Sequence, residues 1–205
     1  MVIVAALYVV PVLISSRFGG HRPPKLQERA EFPARISSMR GSGDRFYVGF
    51  MKTFNFRIVP LATEVAESAR RAAAARARDH VVLTADSPDS YPCRHCLRWA
   101  SPGERVILFP YASVPPGHPY SEIGPIFVHA ELCERYSANN RYPPDFRNGR
   151  VFRAYDADYN MIDAVVANGS EPEAAIEKLF KNPETQFVQA RSVTRGCYTF
   201  GVERI

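Results

Sequence analysis

Regular alternation of apolar and polar side chains begins at residue 51, where "MKTFNFRIVPLA" reads as a strand over Phe54 to Val59, closed by Pro60. The period then changes. From Ala62 to Arg78, "ATEVAESARRAAAARAR" is dense in good helix formers and sets Val65, Ala66, Ala69 and Ala73 on one stripe, which predicts a helix over about 62–78. Its arginines, Arg70, Arg71, Arg76 and Arg78, fit the solvated face of a surface helix more readily than a grip on an anion.

Downstream the pattern is that of strands. Pro102 and Gly103 make a turn ahead of a strand from Arg105 to Tyr111, and a proline-rich loop leads to a second over Ile126 to His129. Val151 to Asp156 and Met161 to Ala167 flank the polar "ADYN" as a hairpin. Ser170 and Glu173 have capping-box spacing with Pro172 in the first turn, so a second helix is expected over about 171–181, burying Ala175, Ile176, Leu179 and Phe180. Thr185 to Val193 and Cys197 to Val202 complete the set around "TRG". Without regular βαβ alternation, these elements predict an α+β domain with a mostly antiparallel sheet and two main helices.

Residues 1–50 differ. The 13-residue apolar run after Met1 is interrupted by Pro11 and is shorter than the roughly 20 residues a membrane-spanning helix needs. Nothing basic precedes it, as a signal peptide would require. Residues 15–50 are rich in Arg, Gly, Pro and Ser without a sustained period. The first fifty residues are therefore read as a disordered or mis-annotated N-terminal extension, with Met51 as the natural start and a single α+β domain over 51–205. The rival reading is a basic tail that tethers the domain to an acidic surface.

Charge supports this division. The chain carries a formal +5, but residues 1–50 hold seven basic and three acidic side chains, leaving a net of only +1 on the remaining 155. A body so nearly neutral offers little to a phosphate backbone, and nucleic-acid binding is not expected. The four cysteines all lie in the body, too sparse for a secreted disulfide scaffold, so a reducing cytoplasm is the expected location.

Those cysteines carry the most specific chemistry. "YPCRHCL" and "HAELC" together give Cys93-x2-Cys96-x32-His129-x3-Cys133, a Cys₃His set. Zinc takes thiolates and imidazoles from two short clusters in a tetrahedron, and four protein ligands would make it structural. Sharing one ion requires the chain to turn helical straight after His129. Partly buried thiols beside a hydrogen-bonded histidine are the commoner fate of such residues. A third reading makes "CRHC" a redox pair with Arg94 and His95 lowering a thiolate pKa, but the flanks leave no room for the helix such a site needs. No nucleophile elbow, phosphate loop or dinucleotide fingerprint occurs in the chain. His118, Tyr120, Glu122 and His129 surround one loop and are candidates for acid and base in a cleft, although loop polar residues are usually just solvated.

Five ordered blocks, "YPCRHCL", "SPGERVILFPY", "PYSEIGPIFVH", "FRAYDADYNMIDAVV" and "TRGCYTFGVER", resemble the bacterial family designated domain of unknown function 1203, over about Met51 to Ile205. The resemblance implies a small bacterial protein and no particular reaction. The family's emphasis falls on "PCR" and "RGCY", here Pro92, Cys93 and Arg94, and Arg195, Gly196, Cys197 and Tyr198. Its members often lack a cysteine matching Cys96, which implies that Cys96 and Cys133 are peculiar to this chain.

A second constellation follows: Cys93 and Arg94 beside Arg195, Cys197 and Tyr198 would form an electropositive pocket for a small anion or a reactive thiolate. The plainer expectation is that Gly196 serves a hairpin turn and Cys197 packs as a small apolar residue. The sequence thus favours a non-catalytic binding or structural module stabilised by zinc, over a thiol-dependent or small acid-base enzyme.

Overall fold

The structure, a computed structural model, describes residues 55–138, 140–168 and 171–205; the expectations placed on residues 1–50, Phe54 and Ser170 lie outside these. The described strands are β1 (Phe56–Val59), β2 (Val81–Thr84), β3 (Arg105–Ala112), β4 (Ile123–His129), β5 (Arg150–Tyr155), β6 (Met161–Ala167), β7 (Phe187–Ser192) and β8 (Tyr198–Arg204), with helices α1 (Thr63–Ala74) and α2 (Pro172–Phe180). This is an α+β fold. The strands form two sheets rather than one, β1-β8-β7-β5-β6 and β2-β3-β4, and every neighbouring pair is antiparallel.

Each sheet has its own helix and core. On the larger sheet, Phe152, Phe200 and Val188 pack with Ile176, Leu179 and Phe180 of α2, and Phe146 and Tyr142 fill the space beside them. Phe200 meets the Tyr142 and Phe146 rings edge-on at 5.6 and 6.4 Å between centroids, the geometry aromatic quadrupoles prefer. On the smaller sheet, Ile107, Phe109, Ile126 and Val128 pack against Ala66 and Ala69 of α1. Small alanines let α1 approach closely, and this second core contains Cys93 and Cys96.

Three local outcomes depart from the sequence pattern. Helix α1 stops at Ala74, four residues early, because Arg76 takes a left-handed conformation (φ 58°). There the Arg76 N–H donates to Ala73 O and the Ala77 N–H to Ala72 O, the Schellman pattern, with arginine where glycine is usual. At α2 the N-cap is Glu171, at φ 44° and without a side-chain cap bond. Glu173 does not close a capping box, because both its oxygens accept from Arg147, at 2.8 Å each. Strand β2 was not expected; it is short, lies at the sheet edge, and exposes Val81 and Val82.

Turn chemistry follows the sequence more closely. Gly103 has φ 93° in the turn that enters β3, closed by the Glu104 N–H to Ser101 O. Gly196 has φ 69° in the β7–β8 connection. Among the described residues no helix is long and apolar enough to cross a membrane.

Candidate functional site

Residues 91–100 form a tight hairpin. The Ala100 N–H donates to Tyr91 O, the Cys93 N–H to Arg98 O, and the Leu97 N–H back to Cys93 O, with Leu97 at φ 53°. The Arg94 N–H donates to Phe127 O at 2.9 Å, fastening this hairpin to the free edge of β4. Its apolar side chains then divide: Cys93 and Cys96 enter the core under α1, and Leu97 enters the core under α2.

His129 ends β4, opposite Val106. The chain beyond it does not turn helical, contrary to the condition drawn from the sequence; residues 132–138 have no regular structure. Side chains draw it back instead. Arg70 of α1 donates from Nε to His129 O, Arg135 donates to the carbonyls of Pro60 and Leu61, and the Tyr136 N–H donates to His95 O. Cys133 is thereby returned to the hairpin.

The result is a cluster in which one ligand atom each from Cys93, Cys96, His129 and Cys133 all lie within 4.8 Å of one another. The Cys93 and Cys133 sulfurs are 3.9 Å apart, and Cys96 Sγ lies 3.4 Å from His129 Nδ1. A tetrahedron with Zn–S of about 2.3 Å and Zn–N of about 2.0–2.1 Å has S···S edges of about 3.8 Å and S···N edges of about 3.5 Å. The donor set and its spacing fit the ion.

Outer contacts suit thiolates. Cys133 Sγ receives Arg70 Nη2 at 3.5 Å and lies 3.3 Å from His95 Nδ1, while His95 Nε2 lies 3.1 Å from the Thr63 hydroxyl. Burial lowers the pKa of His95, so the ring is neutral and Nδ1–H donates to the sulfur when Nε2 accepts from Thr63. Cys93 Sγ accepts the His129 backbone N–H at 3.4 Å. The Cys96 sulfur raises the pKa of the neighbouring Arg98. These are the hydrogen bonds and charges that orient metal ligands and offset the negative charge of three sulfurs.

The donor groups perturb one another strongly. Hydrogen bonds from Cys133 and Cys96 hold the Cys93 thiol well below its ordinary range, and the same bonds push Cys133 up. His129, bonded to Cys93 and Cys96, is pushed up to about 10. Its Nε2 is buried without a hydrogen bond, 3.5 Å from Glu104 Oε2. A metal on Nδ1 would fix the tautomer that places a proton on Nε2, facing that carboxylate.

The redox geometry is not met. No helix begins at Cys93, and its side chain has 0% exposure, which bars the in-line approach thiol exchange needs.

The other predicted residues divide between separate places. Glu122 pairs with Arg191 and lies 3.7 Å from Arg153. His118 bonds Asp158 O and lies tilted against the Tyr159 ring, whereas Tyr120 meets Tyr155 edge-on, and His129 belongs to the cysteine cluster. The cleft expected of these four is not assembled, since each is taken up by its own neighbour.

Of the second constellation, Arg94, Arg195 and Cys197 line one cavity of about 380 Å³. Cys93 faces away, into the cluster, and the Tyr198 ring turns to Tyr111 on the opposite side. Tyr198 still holds Arg94, through its carbonyl, at 2.6 Å from Nε. Cys197 is half-buried rather than a core residue. Sequence reasoning missed Arg150, Trp99 and Phe146 in the same cavity. An arginine opening a strand and two aromatic residues in separate loops carry no motif.

No curated protein and no solved structure matches the chain. The family model described as protein of unknown function (DUF1203) matches residues 90–204, from the hairpin that carries Cys93 and Cys96 through β8. The matched segment holds all four residues of the cluster and the Arg195 to Tyr198 turn, and on that match the chain belongs to this family.

Proposed function

We propose that the domain is a non-catalytic binding module built around one structural zinc, held by Cys93, Cys96, His129 and Cys133. The convergence of these four donors at tetrahedral spacing is the observation that carries the reading. Four protein ligands leave no open position for water, so the ion would brace the fold rather than activate a substrate. It would tie β4, the 91–100 hairpin and the 130–136 segment to α1 through Arg70. A reducing compartment such as the cytoplasm is the setting that keeps four unpaired cysteines as thiols.

A thiol-dependent enzyme has less support. Cys197 lines the cavity beside Arg94, and its thiol donates to the Arg195 carbonyl, which cannot take its proton.

Elemental analysis of the full chain purified from zinc-supplemented culture should find about one zinc per molecule. Exchange into Co²⁺ should give the visible absorption of a tetrahedral thiolate site, lost in Cys96→Ser and His129→Ala and kept in Cys197→Ser. Metal-free protein that takes up no Co²⁺ would overturn the reading.

A further inference from the structure

Two buried side chains are cations without a carboxylate partner among the described residues. Arg94 is 3% exposed and Arg150 is 6% exposed, and neither pairs with a carboxylate among the described residues. Their hydrogen bonds go to backbone carbonyls: Arg94 to Tyr198 O and Pro92 O, Arg150 to Phe146 O and Gly149 O. An uncompensated buried charge is costly, and proteins seldom keep one without a partner. Burial and the neighbouring Arg150 lower the Arg94 pKa, to about 10, only partly offset by Cys197, so at neutral pH both guanidinium groups keep their charge.

Each guanidinium has five N–H donors, and the bonds named above use Nε and Nη1. Nη2 of Arg94 and Nη2 of Arg150 have no hydrogen bond among the described residues. Neither is sealed from solvent, since His129 Nε2 is the one side-chain nitrogen or oxygen there that is both sealed and unpartnered. Both arginines line the 380 Å³ cavity, which gives a ligand access to them. The Thr199 hydroxyl is in the same position: its residue is 2% exposed and lines the cavity, and the group has no hydrogen bond among the described residues.

The remaining walls define the rest of a ligand. Arg195, exposed, adds a third cation, against the single carboxylate of the exposed Asp89. Trp99, Phe127 and Phe146 supply apolar surface. Trp99 is fixed by donation from Nε1 to Asp145 O and tilts against Phe146 at 5.2 Å, and Arg150 lies over the Phe146 ring at 5.0 Å. The cavity is large enough for a small molecule, and such sites combine apolar walls with a few fixed polar groups.

We propose that this cavity binds a small organic oxyanion, a phosphate or carboxylate carried on a flat apolar body. The oxyanion sits between Arg94 and Arg150 with the Thr199 hydroxyl, and the body lies against Trp99 and Phe146. Arginine suits the task because its planar fork matches both oxyanions. The site is distinct from the zinc cluster, which lies on the other side of the hairpin that holds Arg94.

Trp99 is the only tryptophan in the chain, so its fluorescence reports on the cavity directly. The full chain is titrated with phenyl phosphate, with benzoate, and with neutral benzamide. At least one anion should give a saturable change; which one distinguishes a phosphate site from a carboxylate site. Benzamide should bind about tenfold more weakly or worse, and Arg150→Met should weaken the anion about tenfold, as loss of a charged hydrogen bond implies. Arg195→Ala, a change at an exposed residue, should weaken it severalfold and carries the test if Arg150→Met does not fold. The proposal is overturned if neither anion saturates by about 10 mM, a Kd worth under 3 kcal/mol, if benzamide binds equally well, or if the folded variants bind like wild type.

Discussion

Replacing Cys133 by serine isolates the contribution of the cluster, because the same chain supplies its own control in Cys197. Cys133 Sγ lies 3.9 Å from Cys93 Sγ and takes contacts from Arg70 and His95, whereas Cys197 lines the separate cavity. A ligand present at about 1,000 times its Kd stabilises the state it binds by about 4 kcal/mol. In a domain of this size about 1 kcal/mol moves Tm by about 2–4 °C, so the holo wild type should melt about 8–16 °C above Cys133→Ser. Differential scanning calorimetry with and without chelator supplies the decisive arm. Chelation should lower the wild type and Cys197→Ser by that amount and leave Cys133→Ser almost unmoved, because its metal is already gone. If chelator destabilises Cys133→Ser as much as wild type, or if that variant keeps a full complement of zinc, the four-ligand argument is wrong.

Other consequences can be checked by equilibrium unfolding. Arg76→Gly places the residue a Schellman cap prefers at φ 58° and should raise stability by about 0.5–1.5 kcal/mol; a loss would show that the arginine side chain matters more than backbone strain. Glu173→Ala removes both hydrogen bonds to Arg147 from a buried carboxylate and should cost about 1–3 kcal/mol, read as a lower urea midpoint at unchanged m. Burial raises the pKa of Tyr142, whose hydroxyl donates to Phe146 O. Since the folded pKa is the higher one, its contribution is complete below about pH 10, the unfolded value, and is lost as pH rises toward the folded value. Part of the phenolate absorbance should therefore appear only as the fold is lost, and a Tyr142→Phe variant should show a smaller late component, the remainder coming from Tyr198, whose pKa burial also raises.

The sequence was most readable where structure is local. Helix α2, its buried Ile176, Leu179 and Phe180 and the β5–β6 hairpin follow from periodicity and turn residues within a dozen positions. Strand β2 escaped because "VVLT" is four residues at a sheet edge and lacks alternation, its extended conformation being imposed only by pairing with β3. The split into two sheets was also hidden, since it depends on partners as distant as Arg57 and Glu203, which are 146 positions apart. The four soft ligands could be named because few residue types do that chemistry. His95 was named only beside a redox pair, and Arg70 and Thr63 could not be placed at the cluster, since an arginine on a helix looks the same whether it meets water or a sulfur. Arg94 was selected for the cavity, but Arg150, its equal there, enters from another strand with no sequence signal.

The pairing of β1 with β8 also orders events during synthesis. Strand β1 leaves the ribosome with Phe56 and Ile58 unprotected, and its one neighbour in the sheet is made 146 residues later, as Arg57 and Glu203 measure. The smaller sheet and the whole cysteine and histidine set are complete by residue 133. On the proposed zinc reading, ion capture can precede closure of the larger sheet, giving the nascent chain a folded anchor while its first strand waits. A ribosome-arrested chain with residue 140 exposed beyond the tunnel should already take up Co²⁺, and failure to do so would place metal capture after release.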